Sequence, residues 1–436
     1  MQRCLALSFI LLILLLAAGC GSGKKAASSH TNSTNNNVAY RTPPKPAEPA
    51  QGLSEDSNAG DAYKLAAPLN EFGLALLSQE AQANSEGNIV ISPASIQDAL
   101  TMTLNGATDE TATQMQKALS LDGLSLQQAD QSWADLISFA QRRTDAQIRI
   151  ANSLWLGHGI SFEPAFLNTN RDYFAGDARV MPDDAEAAAV QINDWVDQRT
   201  GGRIKQLVGQ VDPKTGLVLV NATYVKAGWD YFKIADTHDG PFTLADGKRV
   251  QVPMMHGKSF WADVTQTPAY LALPLTANGQ VTVTIVLPRA GQTPESILPL
   301  LAHGELDTLS ASTKSPDYNY IVDLTLPRFH ASFTDGSLKT ALQELGMTRA
   351  FSPQAQFQGI TSSPLWISQV VHKATLDLNE QGVEAAAGTA VIMLADQPQP
   401  PTKHLDVHVD HPFIVVLSEG ESGAPLFMAI VRDPTR

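Results

Sequence analysis

The chain is nearly free of cysteine, with only Cys4 and Cys20 among its 436 residues. Both lie at the N-terminal end, so everything after Cys20 is without a disulfide framework and without a thiolate metal centre. Stability must come from a large apolar core, and a hydrophobic fraction of 43% over this length is ample for one. Positive charge is also scarce, with 30 Lys and Arg against 44 Asp and Glu and a formal net charge of −14. That balance repels polyanions and excludes nucleic acid as an expected partner. Basic residues occur at most in isolated pairs such as Arg142 and Arg143, which leaves no place for a heparin-type cofactor. No HExxH, CxxC, Walker loop or GxSxG occurs, so metal, redox and hydrolase chemistry have no motif behind them. A KTG triplet stands at Lys214–Gly216, but the Ser-x-x-Lys that a penicillin-recognising enzyme also needs occurs only at Ser22 and Lys25, in a segment unsuited to hold catalytic geometry. Internal repeats are absent. No enzyme activity, cofactor or metal is expected.

The N-terminus is informative. Arg3 precedes an apolar run from Leu5 to Leu16, interrupted only by Ser8, and the small residues Ala17, Ala18 and Gly19 lead into Cys20. This pattern predicts a signal peptide over residues 1–19, since the run falls short of the roughly 20 apolar residues of a membrane span. The AAGC ending resembles a bacterial lipobox, with Ala17 where Leu is usual. Cys20 is then the expected lipidation site, anchoring a secreted protein to a membrane at the cell envelope or surface; simple release to the extracellular space is the alternative. Residues 20–60 are rich in Ser, Asn, Thr, Lys, Pro and Ala, a composition that cannot offset the entropy of folding and predicts a flexible tether. The folded domain is expected over 61–436.

Within that domain helical patterning comes first, around Ala99–Leu119 and Ala187–Leu207, and β-branched runs follow at Leu217–Val225, Val281–Pro288, Tyr320–Phe329 and Pro412–Glu419. Without regular βαβ alternation, this predicts an α+β fold with largely antiparallel sheets. After a strand at Ala374–Leu378, the segment Glu380–His404, EQGVEAAAGTAVIMLADQPQPPTKH, is too long and featureless for an ordinary connection. Read with a period of two, its first half puts Val383, Ala385, Ala387, Thr389, Val391 and Met393 on one face, with Glu384 on the other. The segment could therefore become a strand without burying a charge. An Ala-rich flexible linker is the plainer reading of the same composition.

Nine segments, in order, resemble the serpin family: Asn88–Met115, Ile192–Val208, Leu217–Trp229, Val252–Met255, Leu326–Phe329, Leu345–Phe351, His372–Ala390, Asp410–Phe413 and Pro425–Met428. The resemblance implies one domain of three β-sheets with eight or nine helices, overruling the two or three domains that length alone suggests. It makes Glu380–His404 an exposed reactive-centre loop. It implies an inhibitor that forms a covalent complex with a target serine or cysteine protease, then inserts its cut loop into the central sheet from a metastable native state. A serpin-fold carrier that does not inhibit is the alternative, and a monomer is expected. Gly382, Val383, Glu384, Ala385, Ala386, Ala387, Gly388 and Thr389 would form the loop hinge, with Val383 where the family usually has Thr or Ser. Ser92, Ser95, Asn221 and His372 match the family's polar shutter, and Trp229 the aromatic residue where insertion starts. Family spacing from Glu380 places the cut bond at Asp396–Gln397, or one residue earlier at Ala395–Asp396; larger shifts bring Leu394 or Met393 to the cut.

Overall fold

The computed structural model describes residues 60–142, 146–174, 176–211, 216–278, 281–306, 309, 318–335, 338–383 and 401–436. Among them the β-branched and apolar runs pair into three sheets, with strands numbered along the chain. One six-stranded sheet runs in the order β1 (Ile89–Ile91), β16 (Pro425–Val431), β15 (Phe413–Glu419), β9 (Val281–Pro288), β8 (Tyr270–Ala277) and β7 (Thr265–Gln266). A four-stranded sheet runs β14 (His404–His408), β10 (Tyr320–Pro327), β6 (Arg249–Ala262) and β5 (His238–Thr243). The central sheet runs β11 (Phe329–Asp335), β12 (Ile367–Asn379), β13 (Gly382–Val383), β4 (Leu217–Gly228), β2 (Ala146–Leu156) and β3 (Asp177–Val180). Eight α-helices accompany them: α1 (Ala66–Ala83), α2 (Pro93–Leu104), α3 (Asp109–Ala118), α4 (Leu126–Arg142), α5 (Pro164–Thr169), α6 (Ala185–Thr200), α7 (Pro294–Leu300) and α8 (Leu338–Glu344).

Most strand pairs are antiparallel, as the sequence suggests, but β10–β14, β2–β3 and β4–β12 are parallel. The run Tyr320–Phe329 is two strands in different sheets: the chain turns at Arg328, whose N–H donates to Pro253 O, after Pro327, which has no N–H to give. The helical stretch at Ala99–Leu119 is likewise two helices, because α2 ends before Gly106 and α3 starts at Asp109.

Helix α2 is buried over all twelve of its residues, between the central sheet and β16. Its start is written in the sequence: Ser92 Oγ caps the helix by accepting from Ser95 N, and Pro93 sits at the first position. A helix apolar all round is a core helix, yet this one carries Ser95, Gln97, Asp98, Thr101 and Thr103 inside. Thr101 and Thr103 are satisfied locally, donating to carbonyls one turn back, while Gln97 Nε2 donates to Leu119 O at the end of α3. Helix α6, capped by Asp184 and ended by Gly201 at φ 64°, lies across the opposite face of the central sheet. There Ala188, Ile192, Trp195 and Val196 pack on Val218 and Val220 of β4 and on Val371 of β12.

Candidate functional site

Strands β4 and β12 run side by side but are joined over only part of their length. Ile367–Lys373 pair with Leu217–Ala222, and there the ladder stops. Beyond it Thr223–Val225 stay bonded to β2, and Ala374–Leu378 to β11. A cleft of about 220 Å³ opens between, lined by Thr223, Tyr224, Val225, Thr375, Leu376 and Asp377. Two facing strand edges with unmatched backbone groups form a template for a further strand.

The top of this cleft is already closed by the chain itself. After β12 the backbone turns through Glu380 and Gln381, and Gly382–Val383 pair antiparallel with both neighbours: Val383 with Leu378 and Ala227, Gly382 with Asn379 and Gly228. This corrects the expectation that Gly382 and Val383 belong to an exposed loop. Both are buried strand residues, because Val383 is apolar and each finds backbone partners on two sides. Gly382 has φ +120°, and a Cβ there would run into Ala227 O, so only glycine suits the position. At the other end of the loop, His404 is the first residue of β14. Glu384, Ala385, Ala386, Ala387, Gly388 and Thr389 lie outside the described residues, as do Ala395, Asp396, Gln397, Cys20 and the whole of residues 1–59.

Trp229 clamps this turn. Its Nε1 donates to Asn379 O at 2.9 Å, its backbone N–H to Gln381 O at 3.3 Å, and its ring packs edge-on against Phe232. Glu380, 5% exposed, accepts from Thr237 Oγ1 at 2.6 Å and pairs with Arg328 at 3.6 Å. The turn is thus bolted to the body of the protein on both sides of the seated strand.

One pair before the β4–β12 ladder ends, a row of polar side chains crosses the sheet: Asn152 of β2 opposite Asn221 of β4, and Asn221 opposite His372 of β12. All three are buried. His372 Nδ1 donates to Asn221 Oδ1, and Nε2 accepts the backbone N–H of Ser92 at 3.2 Å. This pattern requires the neutral ring, and burial pushes the His372 pKa down to about 3. Ser92 Oγ donates to Leu426 O at 2.7 Å and lies 3.1 Å from Thr223 Oγ1. Ser95 Oγ donates to Asn152 Oδ1 at 3.3 Å, and Asn152 Nδ2 donates to Asp98. Asn221 Nδ2 has no hydrogen-bond partner among the described residues.

The structure therefore brings Ser92, Ser95, Asn221 and His372 into one network under the gap, and sets Trp229 apart from them at its top. Sequence reasoning missed Asn152, Thr223 and Asp98, which complete that network, and Thr237 and Arg328, which hold Glu380. A signal existed for the first three: Asn152 and Thr223 interrupt apolar strand runs, and Asp98 is the one charged residue in α2. For Thr237 and Arg328 there was none, since both contacts join distant segments.

The main sheet is parted between two parallel strands, with Gly382–Val383 already seated at the head of the opening. The chain belongs to the serpin family: the family profile, described as serine protease inhibitor, matches residues 67–434. An uncharacterized serpin-like protein of Thermococcus kodakarensis is 33% identical over 379 residues, 84% of this chain and 85% of that protein. Human glycosylated kallistatin superposes with a TM-score of 0.75 at 27% identity, covering 86% of this chain and 99% of that one. Human thyroxine-binding globulin in complex with its hormone gives 0.75 at 26% identity, covering 86% and 100%.

Proposed function

We propose that this protein is a suicide-substrate inhibitor of serine endopeptidases, with cysteine endopeptidases as a second target class. The protease nucleophile attacks the carbonyl of Asp396, expels the amine of Gln397 and remains as an acyl-enzyme. The freed loop then runs into the gap as a new central strand and carries the protease with it before water can cleave the acyl bond. The observation behind this reading is the half-open ladder between β4 and β12 with Val383 seated at its head.

The register supports it in detail. Six residues on from Val383 is Thr389; six back from Ala227 and from Leu378 are Asn221 and His372. An inserted strand in this register sets Thr389 between those two side chains, next to the unpartnered Asn221 Nδ2. Ala385, Ala387, Val391 and Met393 follow on the same inward face. The register also reaches Leu217, the end of β4, at Met393, so the sheet accommodates Val383–Met393, about 33 Å of strand. A bond cut after Asp396, or after Ala395 one residue earlier, then lies just past the far edge. An Asp at that position suits a protease with a basic pocket.

Incubation with subtilisin, elastase, chymotrypsin and a caspase, followed by denaturing gels and intact mass of the released peptide, tests the proposal. A denaturant-stable complex with a peptide starting at Gln397 is expected. Cleavage that leaves every protease active instead supports a carrier role, for which thyroxine-binding globulin in its hormone complex is the structural precedent. We extend the reading to a membrane-anchored protein processed at Cys20. Mass analysis of the mature N-terminus tests this, and Cys20→Ala is expected to release the protein into the medium.

A further inference from the structure

One buried acid is not used by the inhibitory mechanism. Asp98 is 1% exposed, in the middle of α2, and its one partner is Asn152 of β2; Oδ1 has none among the described residues. Of the other buried titratable groups on elements around α2, Glu80 lies on α1, Asp130 on α4 is bonded to Asn105, and His372 on β12 is bonded to Ser92 N and Asn221; none is hydrogen-bonded to Asp98. Among the described residues no ion pair reaches the carboxyl. Burial pushes it well above the usual carboxylate range, against the pull of the Asn152 amide.

The same helix holds both sides of the gap. Ser92 N–H reaches β12 through His372, Ser92 Oγ reaches β4 through Thr223, and Ser95 and Asp98 reach β2 through Asn152. A strand added between β4 and β12 pushes them apart by about 4.8 Å. Strands β2 and β4 are joined along eleven residue pairs and shift as a unit, so α2 cannot keep all of these bonds. When β2 slides, Asp98 loses the group that shields it and meets water.

We propose that Asp98 is a proton-controlled tie between α2 and the moving half of the central sheet, so that opening the gap is coupled to release of one proton from its carboxyl. The tie deepens the inhibitory reading and rests on it for its biological purpose. Opening then becomes easier as pH rises, by up to about tenfold per pH unit, the limit for a single proton.

The experiment uses the full-length protein and a fluorescent synthetic peptide with the sequence of residues 383–394 as the probe for an open gap. Uptake is timed between pH 7 and 9, where the imidazole of His372 is neutral whether the gap is closed or open. Trapping of a cleaving protease is scored in parallel. The wild-type uptake rate is expected to climb with pH, while Asp98→Asn, the uncharged isostere, and the smaller Asp98→Ser both give flat profiles. Equal pH profiles for wild type and both variants overturn the tie. So does a flat wild-type profile or no uptake at any pH, either of which still leaves a trapping inhibitor intact if trapping is seen. pH-dependent uptake without any trapping supports the tie and removes the inhibitory reading.

Discussion

His372 and Asn221 face each other one pair before the β4–β12 ladder ends, one on each strand that borders the gap. The ring donates through Nδ1 to the Asn221 carbonyl and accepts through Nε2 from Ser92 N–H. A proton added at Nε2 would point at another N–H. The closed sheet is therefore compatible only with neutral His372, and this single pair ties sheet opening to acidity from the side opposite to Asp98.

The folded-state pKa of His372, about 3, is below its ordinary 6.5. Its contribution to stability is fully present above pH 6.5 and is lost progressively as pH falls from there toward 3. Urea unfolding is expected to show the native state weakening below pH 6.5, by up to about 1.4 kcal/mol per pH unit. His372→Gln should be about 2 kcal/mol less stable at pH 7, through the buried hydrogen bonds it disturbs, and should show a shallower slope. An equal slope in both proteins would assign the acid sensitivity elsewhere.

Glu380 anchors the turn ahead of Val383 through Thr237 and Arg328. Glu380→Lys sets a second cation against Arg328 in a nearly buried position and strands the Thr237 hydroxyl. A loss of about 2 kcal/mol is expected for stranding the Thr237 hydroxyl and placing an unpaired charge at the nearly buried position, seen as a lower thermal midpoint. Faster uptake of a loop peptide should accompany it, because the head of the gap loses its bolt. A midpoint equal to wild type would show that Trp229 alone holds the turn.

On the inward face of the proposed inserted strand, Ala387 would lie two residues before the Asn221–His372 row in the register set by Val383. Ala387→Arg would bury an unpaired guanidinium on insertion. The variant is expected to be cut at the wild-type rate but to release active protease, turning an inhibitor into a substrate. Intact trapping on denaturing gels would sink the register.

Cleavage without a covalent complex, by a protease that cuts the loop and leaves, should still permit insertion. Ten further residues, 384–393, would then gain partners on both sides. A net gain of several kcal/mol raises the unfolding midpoint of a domain this size by about 10 °C or more. Differential scanning calorimetry before and after cleavage measures it, and an unchanged midpoint would mean that the cut loop stays outside the sheet.

Much of this was legible in the residues. The β-branched run at Val281–Pro288 is a strand with those same bounds, and Ser92-Pro93 marks the start of α2 as capping rules require. The ordered motifs named the family and predicted three sheets. The period of two put Val383 on the inward face, and Val383 is buried; the rest of that face lies outside the described residues. The single run at Tyr320–Phe329 misled, since a strand changing sheets at Arg328 looks no different in sequence from one continuing straight.

What the sequence by itself determined is therefore local: element types, helix caps, inward and outward faces, and the polar residues that break apolar runs. Where the sheet parts was decided by tertiary structure. The ladder ends at Ala222 and Lys373 because β4 stays with β2, β12 stays with β11, and the start of α2 ties both halves from below. The seating of Gly382 and Val383 was decided there too, since backbone partners on two sides belong to strands more than 150 residues apart in sequence. The raised proton affinity of Asp98 has the same origin: a carboxyl takes its charge state from the water and dipoles around it, and only the packed fold removed the water.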